Sequence, residues 1–110
     1  GFVAALDSDQ GAGEVVNIGS NFEISIGETV AMIAELMQVD IRIETDDVRI
    51  RPDKSEVERL WADNSKALRL FGWSPGYAGK DGLRRGLAET IAWFREPQNL
   101  SSYKTERYSI

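Results

Sequence analysis

The stretch Glu14-Val15-Val16-Asn17-Ile18-Gly19-Ser20-Asn21-Phe22-Glu23-Ile24-Ser25-Ile26-Gly27-Glu28 carries two structural signals in succession. Glu14 to Ile18 is a short apolar run stopped by Gly19-Ser20-Asn21, the pattern of a short, largely buried strand. Ser25 and Glu28 stand three apart, the spacing of a capping box. The Ser25 hydroxyl accepts from the Glu28 amide while the Glu28 carboxylate reaches back. Val30, Ile33, Leu36 and Met37 then recur at helical spacing, which predicts an amphipathic helix over residues 26–38. A strand feeding a turn and a helix sets the expected class as α/β.

Downstream, Asp40-Ile41-Arg42-Ile43-Glu44 alternates with period two and reads as a half-buried strand. Val48-Arg49-Ile50-Arg51 repeats the alternation, with Arg49 and Arg51 on one face, until Pro52 ends it. Val57, Arg59 and Trp61 alternate again. Asp63 or Asn64 is a suitable N-cap for a short helix through Phe71, with Ala67, Leu70 and Phe71 on one face. Gly72 suits the left-handed position that closes it, with Trp73 folding back on Leu68, and Pro75 blocks resumption. A last helix is expected from about Asp81 to Arg95, with Leu83, Leu87, Ile91 and Phe94 in one stripe and Pro97 beyond it. Residues 98–110 read as a polar tail with Tyr103, Tyr108 and Ile110 as docking points. Upstream, Phe2 to Leu6 look like the final turns of a helix without a capping residue, the expectation for a fragment of a longer chain.

The 110 residues amount to one domain. Hydrophobic residues make up 42% and charged residues 28%, an ordinary globular balance. A chain this long can bury roughly two-thirds of its unfolded surface. No apolar run approaches the ~18 residues of a membrane span, so no membrane partner and a cytoplasmic location are expected. Cysteine is absent, which excludes disulfides, thiolate metal sites and cysteine nucleophiles. Histidine is absent, which excludes imidazole bases and His-ligated zinc. The net charge of −5 is unevenly spread. Residues 1–47 hold ten acids against the single base Arg42, and residues 48–110 hold eight acids against twelve bases. A net-acidic chain is a poor prospect for duplex nucleic acid.

Several motifs resolve into turns or packing. Gly76-Tyr77-Ala78-Gly79-Lys80-Asp81-Gly82 has phosphate-loop spacing, but a dinucleotide loop needs a strand directly before it. Here it follows a helix end and reads as a turn. Tyr77 and Lys80 are one residue too close for a Tyr-x-x-x-Lys pair, which turns the lysine about 100° around a helix. Asp40, Glu44, Asp46 and Asp47 lack the glycine and closing glutamate of a calcium loop. Trp61, Trp73 and Trp93 read as packing residues. Arg51-Pro52-Asp53-Lys54-Ser55-Glu56-Val57 is different: an arginine at a strand end suits a phosphate, and a nearby carboxylate suits ribose hydroxyls. The plainer reading of this segment is an exposed loop salt bridge.

Val16-Asn17-Ile18-Gly19-Ser20, Ile24-Ser25-Ile26, Arg51-Pro52, Asp63-Asn64-Ser65-Lys66-Ala67, Phe71-Gly72-Trp73-Ser74-Pro75 and the run from Gly82-Leu83 to Trp93-Phe94 follow in that order. Together they resemble the C-terminal half of an extended short-chain dehydrogenase/reductase, the NAD-dependent nucleotide-sugar epimerases and 4,6-dehydratases. The run from Arg51 to Ala67 most resembles the dehydratases of N-acetylglucosamine nucleotides in nonulosonate (legionaminic-type) sugar synthesis. The resemblance implies a small α/β lobe of about four helices and three to four short strands, without a Rossmann core. Residues 1–96 would form this nucleotide-sugar-binding lobe and residues 97–110 its tail.

The resemblance further implies a nucleoside-diphosphate-sugar partner and a separate N-terminal Rossmann domain that holds NAD and the catalytic tyrosine and lysine. No catalytic, cofactor-binding or metal residue is then expected within the 110 residues. Arg51 matches the family's diphosphate-binding arginine, and Glu56 matches its ribose-contacting acid, with about two extra residues between them relative to many members. The parent activity stays open between dehydratase and epimerase. Uncovered apolar surface would favour self-association. The reading from a different class is a free-standing acidic α+β protein-interaction domain.

Overall fold

The capping box forms as the sequence requires. In the computed structural model, which describes residues 1–44 and 59–101, the Ser25 side chain accepts from the Glu28 amide at 3.1 Å. The Glu28 carboxylate accepts in turn from the Ser25 backbone N–H at 3.0 Å. Helix α2, Ile26–Met37, starts there and ends at Gln38 in the left-handed conformation. Before it lies the short α1, Phe2–Leu6. After it come α3, Ser65–Phe71, α4, Gly79–Arg95, and the single turn α5, Pro97–Leu100.

Helix α3 ends as its glycine dictates. Gly72 takes φ 63°, its N–H reaches the Leu68 carbonyl at 2.9 Å, and the Trp73 N–H reaches back to Ala67 at 3.4 Å. The Gly72 bond to Leu68 is the single 5→1 bond of the αL closure, not the paired bonds of a Schellman motif. The start of α3 differs in detail from a simple N-cap. Asn64 is the cap position but makes no capping bond with its side chain. The Asp63 carboxylate instead accepts from the Ser65 N–H at 2.8 Å, and this bond holds its pKa below the usual range.

The expected α/β class is overturned: the structure is helical, and no strand forms among the described residues. The physical reason is visible in how the extended stretches are held. Residues 14–23 and 59–66 run alongside each other in opposite directions, as strands would. Arg59 meets Glu23, Trp61 Nε1 donates to Asn21 Oδ1 at 2.7 Å, and Asn64 Nδ2 donates to the Gly19 carbonyl at 2.8 Å. Lys66 Nζ donates to Glu14 and to the Val15 carbonyl, the latter at 3.0 Å. Every one of these contacts uses a side chain, whereas a ladder needs backbone facing backbone. Positive φ at Gly13 (77°) and Asn21 (52°) also turns the first stretch out of extended geometry near both ends. Asp40 to Glu44 has no ladder partner among the described residues. Val48 to Arg51 lies outside them, as does the start of the alternating stretch at Val57.

Packing between helices is concentrated in α2 against α4 and α4 against α5. Across the first pair, Arg84 donates twice to the Glu35 carboxylate, at 3.0 and 2.8 Å. The loop after α1 is tied to α3 by the Ser8 hydroxyl donating to the Leu70 carbonyl at 3.0 Å. The core is small for the chain length. Among the described apolar residues, only Met32 of α2 and Ala67 of α3 are fully buried. Phe2, Leu6, Val15, Ile26 and Leu60 each keep 80% or more of their surface exposed. Among the described residues, no helix is long and apolar enough to cross a membrane.

Candidate functional site

Arg51 and Glu56, the residues expected to meet a nucleotide diphosphate and its ribose, lie outside the described residues. The described chain borders that segment at Glu44 and at Arg59, and the Arg59 border opens onto a cleft.

The cleft has a volume of about 540 Å³. One wall is the entry to α2, from Glu23 to Glu28, and the other is Arg59 and Leu60. The capping box positions the first wall, and the antiparallel clamp positions the second. Arg59 Nε donates to Glu23 Oε2 at 2.9 Å while a second guanidinium nitrogen meets Oε1, a paired contact. That contact lowers the Glu23 pKa and raises that of Arg59. The Glu28 carboxyl is also held low, first by the Ser25 hydroxyl and then by the Ser25 backbone N–H. Ile26 and Leu60 supply exposed apolar surface on either side of the cleft. A neighbouring depression of about 460 Å³ lies between Phe22 to Ile24 and α4, where Lys80 and Arg84 project toward Glu28 and Glu35.

The chemistry available here is recognition. The carboxylates are ionised, solvent-exposed and matched to cations or caps, so none is poised as a general acid at neutral pH. Tyr77 donates its hydroxyl proton to Glu89 at 2.6 Å, and this bond, together with the carboxylate's charge, raises its pKa. A proton-transfer tyrosine needs the opposite shift. Among the described residues, no group of three or more acidic, histidine or cysteine side chains is placed to hold a metal ion.

NAD does not fit the glycine-rich segment. A dinucleotide cradle needs free backbone amides facing an open space. Here Gly82 is buried, and a Cβ built on it would lie 2.2 Å from the Tyr77 carbonyl carbon. That glycine admits the chain's own backbone, and Gly79 at φ 62° turns the chain into α4. The motif is a tight turn packed on a helix.

Sequence reading did not find the side chains that shape the cleft. Glu23 and Arg59 are 36 residues apart and carry no local signature. Asn64 and Lys66 stand in a motif that the resemblance singled out, and the structure gives both a clamping role.

No family model and no solved structure matches the chain. Among curated proteins, it is 31% identical over 85 residues to the GDP-6-deoxy-D-mannose reductase of Pseudomonas aeruginosa, covering 77% of this chain and 27% of that protein. It is 30% identical over 84 residues to the UDP-glucuronate 4-epimerase of Thermodesulfobacterium geofontis, covering 76% and 24%. It is 24% identical over 100 residues to the dTDP-D-glucose 4,6-dehydratase of Mus musculus, covering 89% and 26%. The chain is similar to nucleotide-sugar reductases, epimerases and 4,6-dehydratases. It spans about a quarter of the length of the curated relatives it matches.

Proposed function

We propose that residues 1–96 are the nucleotide-sugar-binding lobe of an NAD-dependent epimerase or 4,6-dehydratase of the extended short-chain dehydrogenase/reductase type. One observation carries the reading. The relatives' names give three different reactions, reduction, epimerisation and dehydration, on three nucleotide-linked sugars. What the three have in common is the nucleotide-sugar, so a shared quarter of their length goes naturally with substrate binding rather than with one chemistry. The described residues support this, since they offer a cleft, matched charges and no activated acid–base pair. The large exposed apolar side chains of α1, Phe2 and Leu6, suit a surface that another folded unit covers. NAD and the hydride chemistry belong in this reading to a Rossmann domain. Within it, the run from Arg51 to Ala67 favours the dehydratases acting on N-acetylglucosamine nucleotides in nonulosonate-type synthesis.

Arg51 is assigned to the diphosphate and Glu56 to the ribose. A charge-assisted contact to a phosphate contributes about 1.5–3 kcal/mol, so Arg51→Ala should weaken binding roughly ten- to a hundredfold. Glu56→Ala should cost less, because ribose hydroxyls are neutral. Titration calorimetry with UDP-N-acetylglucosamine on the parent enzyme and both variants tests the assignment. Unchanged affinity in Arg51→Ala would remove the diphosphate site.

A further inference from the structure

The stretch Glu14 to Ile18 has two edges, and the chain itself holds one of them. The Val15 carbonyl accepts from Lys66 Nζ at 3.0 Å and the Gly19 carbonyl from Asn64 Nδ2 at 2.8 Å. These carbonyls are four residues apart and reach the same neighbour, as in an extended chain whose peptide groups alternate between two edges. Residues 15, 17 and 19 therefore turn their N–H and C=O groups toward residues 59–66. Val16 and Ile18 turn theirs the other way, where nothing among the described residues bonds to them.

Helix α1 sits against one face of the same stretch. Gly1, Phe2 and Ala5 share a cavity of about 420 Å³ with Val16 and Ile18, and a Cβ built on Gly1 would lie 2.6 Å from Ile18 Cγ2. A helix is about 10 Å across, whereas strands in a sheet are about 4.8 Å apart. One extended stretch therefore covers about half of what a helix spans. Phe2 and Leu6 show the uncovered remainder, at 86% and 84% exposed.

We propose that the free edge at Val16 and Ile18 pairs with the edge strand of a sheet in a second folded unit, and that Phe2 and Leu6 pack on the face of that sheet. The proposal rests on the functional reading above, which supplies the unit. It is a Rossmann domain, built on a parallel sheet, in the three quarters of the relatives' length that this chain does not span. An exposed row of unpaired N–H and C=O groups is a template for such an addition. Val16 and Ile18 on one face and Val15 on the other give the stretch apolar side chains on both sides, as a strand covered on both faces requires. A second copy of this chain fits less well. Two such short stretches make only a two-stranded ribbon, which is marginal in water and leaves Val15 uncovered.

Hydrogen exchange at single amides tests this in the 110-residue chain and in the parent enzyme. The Val16 and Ile18 N–H groups should exchange at least about tenfold more slowly in the parent, the effect of one net hydrogen bond. Asn17, whose N–H faces residues 59–66, should show no such change. Phe2→Asp with Leu6→Asp should return both amides to the fast rate in the parent. The urea midpoint of the 110-residue chain should not move, since both side chains are already exposed there. Fast exchange at Val16 and Ile18 in both proteins, or full protection in the doubly substituted parent, would overturn the proposal. So would slow exchange in the 110-residue chain alone. If it strengthened with concentration it would assign the edge to a second copy, and if it did not, to the chain's own residues 45–58 or 102–110. Calorimetry with UDP-N-acetylglucosamine keeps the two readings apart. A parent that binds it while both amides stay fast loses only the docked edge, and a parent with protected amides that does not bind it loses only the nucleotide-sugar.

Discussion

Two glycines one helical turn apart on α4 should respond to the same substitution with opposite signs. Gly82 and Gly86 both face Tyr77. An alanine at Gly82 would place its Cβ 2.2 Å from the Tyr77 carbonyl carbon, 2.7 Å from its oxygen and 2.8 Å from its Cα. All three atoms are main chain, so no rotamer change relieves the contact. Carbon atoms pack at about 3.5–4.0 Å, so the turn carrying Tyr77 must retreat by more than ~1 Å. That retreat also disturbs the Tyr77–Glu89 bond and the Arg85 donation to the Gly76 carbonyl at 2.8 Å. Overpacking of this kind costs about 1–3 kcal/mol, and a main-chain obstacle belongs at the upper end. Alanine recovers about 1 kcal/mol of helix propensity over glycine. The balance for Gly82→Ala is a loss of about 2 kcal/mol, or roughly 8 °C or more in Tm for a domain of this size.

At Gly86 the built Cβ lies 3.5 Å from Tyr77 Cδ1, an ordinary contact with a ring edge. Gly86→Ala therefore keeps most of the propensity gain and should stabilise by about 0.5–1 kcal/mol. Urea denaturation followed by tryptophan fluorescence measures both. A neutral or stabilising Gly82→Ala would refute the close packing of the turn on α4, and with it the reason the glycine-rich segment is not a nucleotide loop.

Other consequences are simpler to read. Ser25→Ala removes the acceptor for the Glu28 N–H and should cost about 1 kcal/mol, seen as a lower urea midpoint. Glu14, Glu23, Glu28, Glu35 and Asp63 all have pKa values below their ordinary ones. Their stabilisation is complete above the unfolded carboxylate values near 4.5 for glutamate and 3.8 for aspartate. It should be lost as pH falls through the lower folded values, visible as decreasing thermal stability below about pH 4.5. Tyr77 has a raised pKa, so its contribution is complete below 10.0 and should fade as pH rises through the folded value. Reversing the clamp pair, Glu23→Arg with Arg59→Glu, should preserve urea resistance better than either single change, and a double-mutant cycle without coupling would deny the pair its role.

Features set by neighbouring residues were legible. The Ser25–Glu28 box, the Gly72 closure and the Pro97 boundary depend on local spacing, and the structure has each of them. The last helix begins at Gly79, two residues before the expected start at Asp81, because Gly79 in a left-handed conformation launches it. Strands were misread because period-two alternation reports which face is apolar. It does not report whether another backbone lies alongside in register. Glu14 to Ile18 has a neighbour, but one that holds it by the Lys66 side chain, with Asn64 holding Gly19 just beyond. The cleft was illegible for a related reason. Its walls meet through Glu23–Arg59 and Asn21–Trp61, pairs 36 and 40 residues apart whose members are unremarkable alone.

The uneven charge of the chain has its explanation in those same contacts. Residues 1–47 are acidic and residues 48–110 are basic. Among the described residues, three ion pairs between distant positions each join an acid of the first part to a base of the second: Glu14 to Lys66, Glu23 to Arg59 and Glu35 to Arg84. The imbalance is thus partly internal complementarity between two stretches that must lie together, rather than a basic surface kept for a polyanion. Exposed pairs of this kind are individually weak in water. Their value here is registry. With only Met32 and Ala67 fully buried among the described apolar residues, nonpolar packing does little to set which residue lies opposite which. The pairs and amide clamps supply that alignment from Glu14 to Glu23, and so fix the wall from which α2 and the cleft begin.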